Sequence, residues 1–154
     1  MPENKEIADV LESMADLLEI DEASPFRIRA YRNGADTIRY HDTPLEELVR
    51  KGANLTELQD VGKGLAKAIG EIVTLGIPGF RAQMAQTHPP GLLELLSLPG
   101  LGPKRVRMLK NELGVCGPLE LKQALLDGRL REVRGFGAKS EERLLQRLER
   151  FEES

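Results

Sequence analysis

The chain of 154 residues has no tryptophan, a single cysteine, two tyrosines and four phenylalanines. With only Cys116, an internal disulfide and a cysteine-built zinc site are both excluded, and a reducing, intracellular setting is expected. Scarce aromatics leave the core to small aliphatic residues, in a composition rich in Leu, Ala, Glu and Arg that suits short packed helices. No apolar run approaches the roughly 20 residues of a membrane span, and the acidic start is not a signal peptide, so a cytoplasmic protein without membrane contact is expected. No segment alternates as a strand does, which makes the expected fold class all-α. His41 and His88 lack a Cys or carboxylate at ligand spacing, so no side-chain metal site is expected. Cys116 reads as a small buried apolar group near a helix end.

An excess of positive charge is also missing, since the formal net charge is −3. The acidity is local. Glu3, Glu6, Asp9, Glu12, Asp16, Glu19, Asp21 and Glu22 face only Lys5 within the first 24 residues, leaving the remainder net basic. The effect of this acidity on a polyanionic partner depends on where the first helix points, so composition alone does not argue for nucleic acid.

What is present is a turn. Leu98-Pro99-Gly100-Leu101-Gly102-Pro103 separates two apolar-patterned segments, and its prolines and glycines break any continuous helix. Gly100 and Gly102 can take positive φ and let another backbone approach closely. The turn opens onto a helix start whose unpaired N–H groups, followed by Lys104, Arg105 and Arg107, suit a phosphate oxygen. Leu98 and Leu101 should face inward.

The unit recurs as Leu58-Gln59-Asp60-Val61-Gly62-Lys63-Gly64 and as Val133-Arg134-Gly135-Phe136-Gly137-Ala138-Lys139. Each has an apolar residue, a variable one, Gly or Asp, an apolar residue and Gly, and then a helix. The pattern resembles the helix-hairpin-helix elements that bind DNA. Asp60, in the place of a glycine, either caps its turn or weakens phosphate binding by repulsion.

In chain order, an amphipathic helix is expected from about Lys5 to Glu19, with Ile7, Val10, Leu11, Met14, Leu17 and Leu18 inward. Ser24-Pro25 starts a second, basic helix with Phe26, Ala30 and Ile38 toward a core and Arg27 and Tyr31 on one stripe. Thr43-Pro44 caps a third helix, and Asn54 leads into the first hairpin, whose second helix ends near Gly76. Phe80 to Gln86 forms a short helix, and Thr87-His88-Pro89-Pro90-Gly91 separates domains at 1–87 and 91–154. Helices follow from Pro118 to Gly128, near Leu130, and through Leu144, Leu145, Leu148 and Phe151.

Several pieces together extend the resemblance to nearly the whole chain. They are Asn4-Lys5-Glu6-Ile7-Ala8, Ser24-Pro25-Phe26-Arg27-Ile28-Arg29-Ala30-Tyr31-Arg32, Leu92 to Lys104, and Arg134-Gly135-Phe136-Gly137. The chain resembles the N-terminal DNA-binding region of a bacterial family X DNA polymerase, with its small lyase-like domain and its fingers. The resemblance implies two helical subdomains like the N-terminal domain of DNA polymerase beta. It implies binding of gapped or nicked DNA in base excision repair, with little sequence specificity. The downstream 5′-phosphate would fall to Arg27, Tyr31, Lys63 and Lys67, with Arg32, Gly62 and Gly64 beside them. Gly100, Gly102, Lys104, Arg105 and Arg107 would grip the other strand, and the third hairpin would offer Gly135, Gly137 and Lys139 while mainly packing against the second. A monovalent cation, Na or K, would sit on backbone carbonyls at a hairpin.

Two departures from the family bear on activity. Ala68 stands where animal relatives carry a Schiff-base lysine, and Lys67 points about 100° away on a helix. No pair of closely spaced carboxylates on a strand is present for two-metal nucleotidyl transfer. The chain alone is therefore expected to be a monomeric, non-enzymatic DNA binder, either a fragment partnered by a polymerase catalytic domain or a stand-alone protein. The alternatives are residual 5′-deoxyribose-phosphate lyase action from Lys67 or Lys63, and a protein-interaction module docking through the acidic first helix.

Overall fold

Apolar residues three and four apart give the first segment a buried face, and it folds as α1 (Asn4–Ile20) with Ile7, Val10, Leu11, Ala15 and Leu17 inward. The computed structural model describes residues 2–153, with side chains through residue 152. A tight turn, with Glu22 at φ 60°, returns the chain along α1 as α2 (Pro25–Arg39). Ser24 caps α2 by accepting from the Arg27 N–H at 3.2 Å, with Pro25 in its first turn.

The inward face of α2 is Tyr31, Gly34, Ala35 and Ile38. This corrects the expected set. Ile38 is buried, but Phe26 is 79% exposed and Ala30 is exposed. At 100° per residue, Phe26 lies about 140° and Ala30 about 100° from the direction of Tyr31, so neither can share its face.

The next helix, α3 (Leu45–Arg50), has no capping side chain from Thr43 or Pro44. Asn4 does that work from another element. Its Oδ1 accepts from the Leu45 N–H at 2.8 Å, while its Nδ2 donates to the carbonyls of His41 and Thr43 at 3.2 and 2.9 Å. One amide side chain thus fixes the start of α1 to the start of α3.

A 3-10 turn (Leu55–Glu57) precedes α4 (Lys63–Met84), which is broken at Gly76, where φ is 77° and ψ 165°. The break falls at the expected end of the hairpin helix, with Pro78 just beyond it. Leu65, Ala68, Ile69 and Ile72 of α4 complete a core with α1, α2 and α3.

The chain divides into two compact units, the first ending at Thr87 and the second beginning at His88. The second holds α5 (Gly91–Leu96), α6 (Pro103–Leu113), α7 (Pro118–Leu126), a 3-10 turn (Arg129–Glu132) and α8 (Ala138–Glu153). Its core is built from Leu92, Leu95, Leu98, Leu101, Val106, Leu109, Leu121, Leu130, Leu144 and Leu148. Gly114, at φ 69°, ends α6 in the left-handed conformation. Gly91 lies against the backbone of Cys116 and Gly117, so the start of α5 tolerates no side chain there. Cys116 itself is half-buried, held by its N–H donating to Glu120 at 2.8 Å, rather than enclosed as expected. Phe151, placed inward by periodicity, is 38% exposed near the end of α8.

Among the described residues there is no strand, so the all-α class holds. No helix among them is long and apolar enough to cross a membrane, and they hold no group of three or more metal-ligating side chains.

Candidate nucleic-acid interface

Three turns repeat one backbone geometry. In the first hairpin the Val61 N–H donates to the Leu58 carbonyl at 3.2 Å, in the second Leu101 to Leu98 at 3.2 Å, and in the third Phe136 to Val133 at 3.2 Å. The helix after each turn starts with the same bond, Ala66 to Gly62 at 2.9 Å, Val106 to Gly102 at 3.1 Å and Glu141 to Gly137 at 3.0 Å. The residue before the second apolar position is left-handed each time, with φ of 60° at Asp60, 89° at Gly100 and 92° at Gly135. Val61, Leu101 and Phe136 are buried and fix the turns to their units.

The glycine that starts each helix faces open space. A Cβ added at Gly62, Gly102 or Gly137 would meet nothing within 4 Å. Among the described residues the Gly62 and Gly102 N–H groups donate to no backbone carbonyl outside the helices. A helix start with N–H donors left without carbonyl partners, and a glycine that leaves room for a close approach, is suited to an anion.

Side chains around the first hairpin divide sharply. Gly34 of α2 lies against this turn, where a Cβ would come 3.3 Å from the Asp60 carbonyl and 2.9 Å from Leu65. The stripe Arg27, Tyr31 and Gly34 therefore runs along the side of α2 that meets the hairpin. Arg27, Lys63 and Lys67 are exposed, and among the described residues none forms an ion pair. Tyr31 is 8% exposed and belongs to the core. Arg32 is bound elsewhere, with its Nη2 3.0 Å from Asp16 and 2.9 Å from Glu19. Arg39 is likewise paired with Asp9 at 2.8 Å and Glu12 at 3.5 Å. Burial pushes the Asp16 carboxyl above its ordinary value, against the opposing bond to Arg32.

In the second unit Lys104 and Arg105 are exposed on the first turn of α6, and Arg107 is half-buried. Arg105 Nη1 donates to the Gly100 carbonyl at 3.3 Å, and its guanidinium lies 5.3 Å from the centre of the Phe136 ring. The central hairpin and the third turn are thereby tied together. Arg147 of α8 also reaches the central turn and donates to the Pro99 carbonyl.

The third hairpin keeps the backbone geometry but changes the charge. Gly135, Gly137 and Lys139 are exposed, yet Glu141 is buried in the first turn of α8, 3.1 Å from Arg131, with its other oxygen unpartnered. That carboxylate occupies the electrostatic place a bound phosphate would take. The sequence carries a local signal of this change, since Glu141 follows Gly137-Ala138-Lys139-Ser140 directly. Arg147 and Asn4 gave no such signal, because their partners are 48 and 37 to 41 residues away.

Comparison with known proteins agrees with this geometry. Residues 2–77 match the helix-hairpin-helix domain family, and residues 92–150 match the SAM-like helix-hairpin-helix tandem family. The chain is 35% identical over 144 residues to a protein of Bacillus subtilis (strain 168) named DNA polymerase/3′-5′ exonuclease PolX. That alignment covers 94% of this chain and 25% of the relative, so the chain spans about a quarter of the length of the protein it matches.

Proposed function

Because the chain belongs with the N-terminal helix-hairpin-helix region of the family X DNA polymerases, we propose that it holds gapped or nicked DNA through backbone phosphates, in the service of cytoplasmic DNA repair by a linked polymerase catalytic domain. The observation that carries this reading is the thrice-repeated turn, which at the first two hairpins joins a helix-start glycine N–H that meets no backbone carbonyl to exposed cations without carboxylate partners among the described residues. In the first unit Arg27, Lys63 and Lys67, with the Gly62 and Gly64 backbone, take the 5′-phosphate side of the gap. In the second, Gly100, Gly102, Lys104 and Arg105 take the other strand. Phosphate contacts position the protein without reading bases, so sequence preference is slight.

Two features favour binding over the alternatives. A Schiff-base lysine works from a pocket that desolvates its amine, whereas Lys63 and Lys67 stand exposed on the surface and Ala68 lies in the core. An acidic docking face needs available carboxylates, whereas Asp9, Glu12, Asp16 and Glu19 of α1 are engaged by Arg39 and Arg32. A monovalent cation on hairpin carbonyls fits the first hairpin better than the central one, whose Pro99 and Gly100 carbonyls already accept from arginine nitrogens.

The test is the affinity of the chain for a duplex with a one-nucleotide gap, with and without the downstream 5′-phosphate, across a salt series. A preference for the phosphate that falls on Lys63→Ala or Arg27→Ala supports the reading. Equal, negligible affinity for both substrates overturns it.

A further inference from the structure

Among the described residues, Arg147 is the one residue of α8 that reaches the turn of the central hairpin through a side-chain hydrogen bond. Its Nη1 donates to the Pro99 carbonyl and fills the space beside Gly100 where a Cβ would stand. The glycine thus serves twice, by allowing φ of 89° and by leaving room for a guanidinium. Arg105 holds the next carbonyl of the same turn, that of Gly100. Two guanidinium groups therefore converge on consecutive carbonyls, one from each of two hairpins.

Their surroundings set them apart from the arginines that are held in ion pairs. Arg32, Arg39, Arg50, Arg129 and Arg131 each pair with a carboxylate. Among the described residues neither Arg105 nor Arg147 does so. Two like charges at one turn, with no carboxylate to offset their repulsion, form a site that an anion stabilises. Each guanidinium has five N–H donors in a rigid fork, and one bond to a carbonyl leaves the others to meet phosphate oxygens.

We propose that Arg147 is part of the phosphate grip of the central hairpin, a cation supplied from the third hairpin's helix to the DNA strand held at Gly100 and Gly102. This rests on the DNA-binding reading given above. It also gives the third hairpin a function despite Glu141, because α8 contributes a side chain from farther along its length rather than its own N-terminus.

The experiment is a salt series of affinities for gapped duplex with the whole chain, comparing wild type, Arg147→Gln and Arg147→Lys, alongside thermal melts. Arg147→Gln should weaken binding about tenfold and lower the magnitude of the slope of log K against log salt by about 0.9, the value for one phosphate contact. Arg147→Lys keeps the charge and should keep the slope while losing affinity, since an ammonium lacks the fork. The Arg147 Nε–Hε signal, followed by NMR in the wild-type protein, should shift on adding DNA, and this reading does not depend on how well a variant folds. Equal slopes for wild type and Arg147→Gln, or an unmoved Nε–Hε signal in a saturated complex, overturn the assignment of Arg147 while leaving DNA binding in place. Failure of the wild type to bind at all overturns both readings.

Discussion

Arg32 and Lys63 look alike in the sequence, as basic residues beside the first hairpin, but the structure gives them different work. Arg32 lies 3.0 Å from Asp16 and 2.9 Å from Glu19, with side chains 38%, 29% and 27% exposed. Lys63 stands exposed at the first position of α4 with no carboxylate partner among the described residues. Partly exposed ion pairs contribute roughly 0.2–1 kcal/mol each, so Arg32→Ala should cost about 1 kcal/mol, including the repulsion between the two carboxylates left behind. For a unit of this size that is a fall in Tm of about 4–8 °C. Its DNA salt slope should stay at the wild-type value, because a guanidinium neutralised by two carboxylates releases no counterion from DNA. Lys63→Ala should do the reverse, leaving Tm in place and reducing the slope by about 0.9. Thermal melts with fluorescence anisotropy on gapped duplex read both quantities. A slope loss for Arg32→Ala at unchanged Tm would refute the reasoning.

Asp60→Gly should tighten DNA binding several-fold, since it removes a carboxylate from a turn at φ 60° and supplies the residue that adopts that conformation freely; weaker binding in the same anisotropy assay would mean that the carboxylate holds the turn together. Gly91→Ala should destabilise the chain by about 1–3 kcal/mol through overpacking, because its Cβ would come 2.7 Å from the Gly117 Cα and closer still to the Cys116 carbonyl. A higher Tm, as for an ordinary helical Gly→Ala change, would contradict that close approach. The Asp16 carboxyl is raised by burial, so the folded state holds its proton more tightly than the unfolded state does. Its contribution to stability is complete below the unfolded pKa and is lost as pH rises through the folded one. Melts across the acid range should therefore show wild type declining relative to Asp16→Asn as pH rises through that window, and parallel curves would exclude the effect.

The hairpins were legible because their determinant is local. An apolar residue, a spacer, a residue that tolerates positive φ, an apolar residue and Gly suffice to write the turn, and Asp60 at φ 60° obeys the same rule as Gly100 and Gly135. Helix starts at Pro25, Pro103 and Pro118 were legible for the same reason. What the sequence hid depends on residues far apart along the chain. Asn4 caps a helix some forty residues later, which no local cap rule can see. The neutralisation of Arg32 needed the pairing of α1 with α2, and the exposure of Phe26 needed the choice of face that this pairing made. Arg147 needed the third turn to be packed on the second.

The charge balance then takes on a different meaning. The first unit has ten basic and fifteen acidic residues and the second twelve and ten, so neither offers a strong field to steer a polyanion from a distance. Affinity must come from contact at the turns. Backbone N–H groups position a phosphate, while counterion release comes from the cations beside them. Those free of carboxylates at the first two hairpins, among the described residues, are Arg27, Lys63, Lys67, Lys104, Arg105 and Arg147. If each meets one phosphate, the slope of log K against log salt is about −5, from −0.9 per contact. A slope near −10 would require phosphates to meet cations well beyond the turns, and one near −2 would mean that a single hairpin engages DNA. A value close to −5 that falls by one contact for each of these residues replaced singly is the signature of two hairpins bound at once.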